Sequence, residues 1–307
     1  MSDVFNIEYK AYHELDFVKW DNCIAGSSNG LIYGYSWWLD RMARQWDALV
    51  LNDYEAVMPL TWHKKFGITY LYQPFVTAQL GIFGNHPGAA LVESFLQAIP
   101  SKFQYWDFNL NHQNMFHLKQ FELHQRKNFV LNLESSYDDI YKGYRENIKR
   151  NIRRAENLGC KPFVGFDVEK MIALVVEQMK TFTRDEDGNM GRFREIYNYL
   201  HRRQQSNTYG ILSKKGELIA SCVFVYSHNR AYYILVGNHP DGRTIGASHM
   251  LVDAFIKDNA QKKLLLDFEG SDIPGLAFFY SSFGAQEENY AAIRLNRLPW
   301  YLKWLKA

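Results

Sequence analysis

The pattern of apolar and polar positions predicts an α/β architecture. Two runs rich in β-branched and aromatic residues, Arg230–Val236 and Lys263–Phe268, predict buried strands. Between them, apolar residues recur at helical spacing and predict a helix that opens at Arg243, after the turn formers Gly237–Gly242. A second short helix is predicted at Leu276–Phe283. Alternating strands and helices are typical of a sheet flanked by helices.

The same order of elements occurs earlier in the chain. Trp106–Asn109 parallels Leu266–Glu269, and Glu55–Val57 parallels Glu217–Ile219 at nearly the same offset. Matching order at a nearly constant offset predicts two similar units in tandem. We expect domains at residues 1–133 and 134–307. In the first unit, the turn that corresponds in position to the Arg243 turn is Gly84–Gly88, and it lacks the arginine and glycine pattern of Arg243 and Gly246. We therefore expect the first unit to be a lapsed copy that shapes the acceptor side.

A basic, amphipathic segment joins the two units. Apolar residues at helical spacing predict one helix that ends at Gly159. Basic residues dominate its opposite face between Lys142 and Arg154, with Glu146 as the acid among them. This face is either a solvated surface or a polyanion site for a nucleotide-sugar, CoA or tRNA, with Lys149 and Arg153 as candidate contacts.

Composition narrows the class of protein. The chain has 307 residues, 47% of them hydrophobic and 16% aromatic, which is sufficient for a substantial core. A formal net charge of +2 gives no global attraction to nucleic acid, so we expect no DNA partner. The three cysteines, Cys23, Cys160 and Cys222, fit neither a disulfide framework nor a zinc site, and we expect no metal. Without a leader-like or membrane-spanning run, we expect a cytoplasmic protein with no transmembrane segment.

The turn at Arg243 carries candidate chemistry. A helix start presents unpaired backbone N–H groups and a positive dipole end, which together can hold a phosphate. Gly246 and the small residues Ala247 and Ser248 would let a diphosphate approach the backbone, and Arg243 would add a charged fork. The alternative is a tight strand-to-helix turn in which the glycine serves geometry alone.

Four segments resemble known acyltransferases. Arg243–Ser248 resembles the pyrophosphate loop of the GNAT N-acyltransferase superfamily, with Ser248 as a departure in its last position. Leu276–Ala285 resembles the end of the GNAT helix that carries a tyrosine near the leaving thiolate. Asp267–Ser271 and Asn147–Gly159 are similar to the FemAB-like branch, whose chains contain two GNAT-like domains. The resemblance implies an α/β chain of two tandem GNAT-like domains, with mixed, mostly antiparallel sheets flanked by helices.

The resemblance implies an acyl-CoA donor and an N-acyltransferase activity. The implied diphosphate contacts are Arg243, Thr244, Ile245, Gly246, Ala247 and Ser248. Backbone N–H groups of Val236, Gly237 and Asn238 would polarise the acyl carbonyl. Tyr280 would protonate the leaving thiolate, and Glu269 would act as the base. The alternatives are an aromatic that fills the gap between helix and sheet for Tyr280, and a turn acceptor for Glu269.

Three functions remain open at this level. The first is transfer from acyl-CoA to a small-molecule or peptide amine. The second is the FemAB-type transfer of an amino acid from aminoacyl-tRNA to a peptidoglycan precursor of the bacterial cell wall. It is less favoured, because no heptad run matches the coiled-coil arm of some relatives. The third is a binding module without catalysis.

Overall fold

The computed structural model describes residues 5–179, 188–270 and 272–300. The elements of the first part of the chain are β1 (Ile7–Lys10), α1 (Phe17–Gly26), α2 (Ser36–Met42), β2 (Gln45–Leu51), β3 (Ala56–Lys65), β4 (Ile68–Tyr72), β5 (Phe83–Gly84), α3 (Ala89–Gln97), β6 (Tyr105–Asn109) and β7 (His124–Arg126).

The elements of the second part are β8 (Phe129–Asn132), α4 (Tyr137–Lys142), α5 (Glu146–Asn157), β9 (Lys161–Val164), α6 (Val168–Met179), α7 (Asn189–His201), β10 (Ser206–Leu212), β11 (Leu218–Ser227), β12 (Arg230–Asn238), α8 (Pro240–Ile245), α9 (Ala247–Asn259), β13 (Leu265–Asp267), α10 (Pro274–Ser281), β14 (Gln286–Glu287) and β15 (Tyr290–Asn296).

The chain forms two compact units that differ from the expected domains 1–133 and 134–307. One unit contains residues 1–126 and 289–307, and the other contains residues 127–288. Strand pairing explains both differences. β8 pairs with β13 and β14 and so belongs to the second sheet. The last strand, β15, pairs with β6 and β7 and so completes the first sheet.

The two units repeat one topology. In the first sheet, β1 to β4 are antiparallel neighbours and β4 runs parallel to β6. In the second sheet, β9 to β12 are antiparallel neighbours and β12 runs parallel to β13. The two segments that are similar in sequence, Trp106–Asn109 and Leu266–Glu269, begin on β6 and β13, which occupy corresponding positions in the two sheets. The prediction of two similar units with mixed, mostly antiparallel sheets is therefore confirmed.

The core of the second unit is built on α9. Its apolar positions, spaced as predicted, are buried against the sheet, and the Phe255 ring stacks on Phe224 of β11 with centroids 3.6 Å apart. Tyr209 of β10 packs edge-on against the same two rings. Aromatic packing of this kind adds to the free energy of apolar burial and holds α9 against the sheet.

The basic segment forms two helices rather than the one predicted. α4 ends at Lys142, and α5 begins after Arg145, whose extended backbone (φ −67°, ψ 152°) donates its N–H to the carbonyl of Ser282 at 2.9 Å. This long-range bond replaces a helical one and bends the chain. The predicted apolar stripe is nevertheless buried on both sides of the break, at Ile140, Tyr144, Ile148, Ile152 and Ala155.

Candidate active site

The second sheet has an opening where β12 extends beyond the end of β13, the strand that runs parallel to it. β13 ends at Asp267, opposite Tyr232, so none of the described strands pairs with the second half of β12 on that edge. β12 is also bulged there: its register against β11 shifts between Ile234 and Gly237, and Leu235 adopts φ +48°. A non-glycine residue with positive φ is uncommon, and bulges of this kind redirect backbone groups near functional sites.

A cavity of about 520 Å³ lies beside the bulge. Its lining residues come from α6, β12, α9 and α10: Gln178, Tyr233, Val236, Asn238, Ser248, His249, Leu276, Phe279 and Tyr280. Apolar walls with a few converging polar groups are characteristic of ligand-binding sites. The structure thus brings together four of the predicted site residues: Val236, Asn238, Ser248 and Tyr280.

The predicted helix from Arg243 is interrupted at Gly246. Residues Pro240–Ile245 form α8, which replaces part of the predicted loop, and Gly246 (φ +90°) precedes the first turn of α9. A Cβ at this glycine would lie 2.5 Å from the backbone oxygen of Asn151 on α5. The glycine is therefore required by the left-handed turn and by the close approach of α5. The predicted contact of the Arg243 side chain lies outside the described side chains.

Ser248 and Asn238 are linked directly. The Ser248 hydroxyl donates to Asn238 Oδ1 at 2.6 Å, which joins the first turn of α9 to the end of β12. The backbone N–H of Asn238 donates to Gln178 Oε1 at 2.7 Å, so this N–H already has an acceptor. Of the three predicted carbonyl-polarising positions, Gly237 lies opposite Ser221 in the ladder, and Val236 lies at the bulge.

Tyr280 forms one wall of the cavity and is 7% exposed. Its ring stacks on Phe268 with centroids 4.7 Å apart. Burial and the negative charge of Glu269 raise the pKa of the phenol well above its ordinary value. The phenol therefore keeps its proton in the physiological range and is able to donate a hydrogen bond.

Glu269 lies at the end of β13 in a left-handed conformation (φ +66°). Its N–H donates to Asp267 Oδ1 at 2.9 Å. Asp267 is in turn held by Arg230, at 2.6 Å, and by Asn128, at 2.9 Å. Glu269 is not one of the described residues that line the cavity. Its carboxylate nevertheless acts electrostatically on Tyr280.

Gln178 and His249 are two polar lining residues that sequence reasoning missed. Gln178 lies far from Asn238 in sequence, and local patterns do not reveal such a contact. His249 follows the predicted loop directly, and its position in the first turn of α9 was the available signal. Burial lowers the pKa of His249 to about 4, so the imidazole is neutral at physiological pH. Its Nε2 lies 3.4 Å from Asn151 Nδ2.

Lys149 and Arg153 lie on α5, away from the cavity lining. Lys149 Nζ is 3.1 Å from Glu146 Oε1, and Arg153 Nη2 is 3.9 Å from Glu146 Oε2.

In the described part of the chain, no cluster of histidine, cysteine, aspartate and glutamate could hold a metal ion. None of the helices described there combines the length and apolar character that a membrane span requires.

Residues 142–273 match the acetyltransferase (GNAT) domain family. The matched segment contains α5, the bulged β12, the Gly246 turn and β13. This match places a GNAT acetyltransferase-like segment in the second unit and supports the predicted acyltransferase class. A search of curated proteins with this sequence found no match.

Solved structures share the fold of the whole chain. A structure of FemX is 13% identical, with a TM-score of 0.65, over 95% of this chain and 98% of that one. A tandem GNAT protein from the clavulanic acid biosynthesis pathway is 10% identical, with a TM-score of 0.54, over 96% and 99%. L-PGS from Bacillus licheniformis is 13% identical, with a TM-score of 0.53, over 85% and 87%. At these identities the likenesses show a shared fold, which is two similar units in tandem.

Proposed function

We propose that the protein transfers an acyl group from acyl-CoA to an amine by direct attack. The amine nitrogen bonds to the thioester carbonyl carbon, the carbon–sulfur bond breaks, and CoA leaves as a thiolate. The nitrogen loses one proton and the thiolate gains one, so the products are an amide and free CoA. Such a site must position the donor, accept the amine proton and stabilise the charge that develops on oxygen and sulfur.

The cavity beside the β12 bulge is the observation that carries this proposal. Its apolar walls, which include Val236, Leu276 and Phe279, suit an extended thioester arm. Of its polar groups, Ser248 lies in the first turn of α9 and donates to Asn238 at the end of β12. The start of a helix offers backbone donors and a positive dipole end. The donor would thus run from a phosphate-binding turn into an apolar cleft.

The turn between α8 and α9 would hold the diphosphate. Backbone N–H groups of Gly246, Ala247 and Ser248 would be the main donors, because helix starts leave such groups unpaired. Arg243, with Thr244 and Ile245 beside it in α8, would supply the charged fork.

Val236 and Tyr280 would stabilise the developing charges. The N–H of Val236, at the bulge, is the strongest candidate for the acyl oxygen, since the N–H of Asn238 already donates to Gln178. Tyr280 would donate a hydrogen bond to the leaving sulfur. Full proton transfer is unfavourable, because the raised pKa of this phenol exceeds that of a thiol at about 8.5.

Glu269 would accept the amine proton through a water molecule. A relay is needed because this carboxylate does not belong to the described lining of the cavity. The acceptor would be a small-molecule or peptide amine in the cytoplasm.

Aminoacyl-tRNA is the second candidate donor, favoured by the basic surface of α5 and by the fold likeness to FemX. The acceptor would then be a peptidoglycan precursor. If RNA binds α5, Lys149→Glu with Arg153→Glu should abolish retardation of tRNA in gels, and wild-type binding should fall steeply with salt. Absence of wild-type retardation at low salt would remove this candidate.

Ligand-induced melting shifts test the donor. The panel is CoA, acetyl-CoA, a longer acyl-CoA and charged tRNA. A ligand at a hundred times its Kd should stabilise the protein by about 2.7 kcal/mol. Turnover with any acyl-CoA would also exclude the third function, a binding module without catalysis.

A further inference from the structure

An open groove runs along the outer face of α5, separate from the cavity of the candidate site. It has a volume of about 750 Å³ and is lined by Glu146, Arg150, Arg153, Arg154, Asn157 and Leu158. These residues recur at helical spacing on one side of α5, opposite the buried residues Ile148, Ile152 and Ala155.

The groove carries an uncompensated positive charge. The side chains of Arg150 and Arg154 form no ion pair with any residue in the described part of the chain. Glu146, the acid of the groove, is shared between Lys149 and Arg153. Like charges three and four residues apart destabilise a helix. Arg154 is partly offset by its place in the last turn, where the helix dipole favours cations, but Arg150 lies mid-helix.

The position of the groove relates it to the donor turn. Asn151 of α5 is the residue whose carbonyl meets Gly246, and α5 contacts both α8 and α9. Asn147, Asn151 and Arg154, at spacings of four and three, share the flank of α5 that faces this turn. Arg150 lies between that flank and the outer face. Lys149 lies on the other flank, with its Nζ 5.6 Å from the ring centre of Tyr141.

We propose that Arg150 and Arg154 bind the 3′-phosphate of the CoA donor, an inference that rests on the proposed function. CoA carries two phosphate sites: a diphosphate and a separate monoester on the ribose. With the diphosphate at the start of α9, the monoester needs a second cationic site close by. Guanidinium groups suit a phosphate dianion, because their paired N–H groups bind two oxygens at once.

The test compares CoA with 3′-dephospho-CoA by calorimetric titration at low salt. Wild-type protein should bind CoA roughly 10- to 100-fold more tightly, the range expected for charged hydrogen bonds. Arg150→Gln with Arg154→Gln should weaken CoA binding to the level of 3′-dephospho-CoA and leave binding of the latter unchanged. Arg202→Gln, which removes an exposed arginine after α7, is the matched control and should keep the full difference.

Three results would overturn the inference. If wild-type protein binds CoA and 3′-dephospho-CoA equally, the groove does not hold the monoester, although acyl-CoA remains the donor. If neither binds, the acyl-CoA proposal fails and the inference fails with it. If only a tRNA acceptor-stem hairpin binds and the double variant abolishes that binding, the groove serves RNA. Melting temperatures of the variants must match wild type, which Arg→Gln changes on an exposed face should allow.

Discussion

Replacing Gly246 by alanine tests the packing that shapes the donor turn. Holding a residue other than glycine in the left-handed conformation destabilises the folded state by about 1–2 kcal/mol. The new Cβ would also lie 2.5 Å from the Asn151 oxygen, and the resulting displacement of α5 costs about 1–3 kcal/mol. Alanine also lowers the conformational entropy of the unfolded chain relative to glycine, which offsets about 0.4–1 kcal/mol of this loss. With the middle of each range, the expected net loss is about 3 kcal/mol.

Gly216→Ala separates the two costs. Gly216 lies in the β10–β11 turn with φ +83°, and no atom lies within 4 Å of a Cβ placed there. Its replacement should therefore incur the conformational cost alone. In scanning calorimetry, Gly246→Ala should lower the melting temperature of the second unit by about 5–15 °C, well beyond the effect at Gly216. Equal effects at the two glycines would refute the close approach of α5 and α9. If the larger loss is found, Gly246 is unsuitable for testing donor binding.

Three further predictions concern the site itself. Thr244→Glu, at an exposed position of α8, should weaken CoA binding at least about tenfold by charge repulsion, and Thr244→Gln should not; equal affinities by calorimetry would remove the diphosphate assignment. Tyr280→Phe keeps the ring stack and should lower turnover by roughly 10- to 100-fold without changing stability, whereas unchanged turnover would assign Tyr280 to the core. His249, whose pKa is lowered to about 4, resists protonation that the unfolded chain accepts near pH 6.5. Stability should therefore fall by up to about 3 kcal/mol as pH drops from 6.5 to 4, and urea titrations should show a smaller fall for His249→Gln; parallel pH profiles would contradict the burial argument.

Local sequence patterns predicted the helices and strands better than they predicted which of these elements contact one another. The runs at β12 and β13 and the apolar stripe through Ile148 follow directly from residue spacing. The pairing of β15 with β6 could not be predicted, because a strand pattern does not specify its neighbour. The break before α5 was missed for the same reason, since it depends on the bond from Arg145 to distant Ser282.

The candidate site was predicted where its residues lie close in sequence. The turn from Arg243 to Ser248 was singled out from its glycine, its small residues and Arg243, together with its resemblance to the GNAT pyrophosphate loop. Gln178 was missed because it reaches Asn238 from α6. The reason given for Gly246 was incomplete: we expected room for a diphosphate, and the structure adds the approach of α5.

Direct titration of the protein with CoA and acetyl-CoA tests the central claim most directly. We predict saturable binding of both ligands, and competition between them, at the cavity formed by β12, α9 and α10. Thr244→Glu should weaken both, whereas Arg202→Gln should weaken neither. Wild-type protein that binds neither ligand, while retaining its cooperative melting transition, would contradict the account of an acyl-CoA-dependent N-acyltransferase.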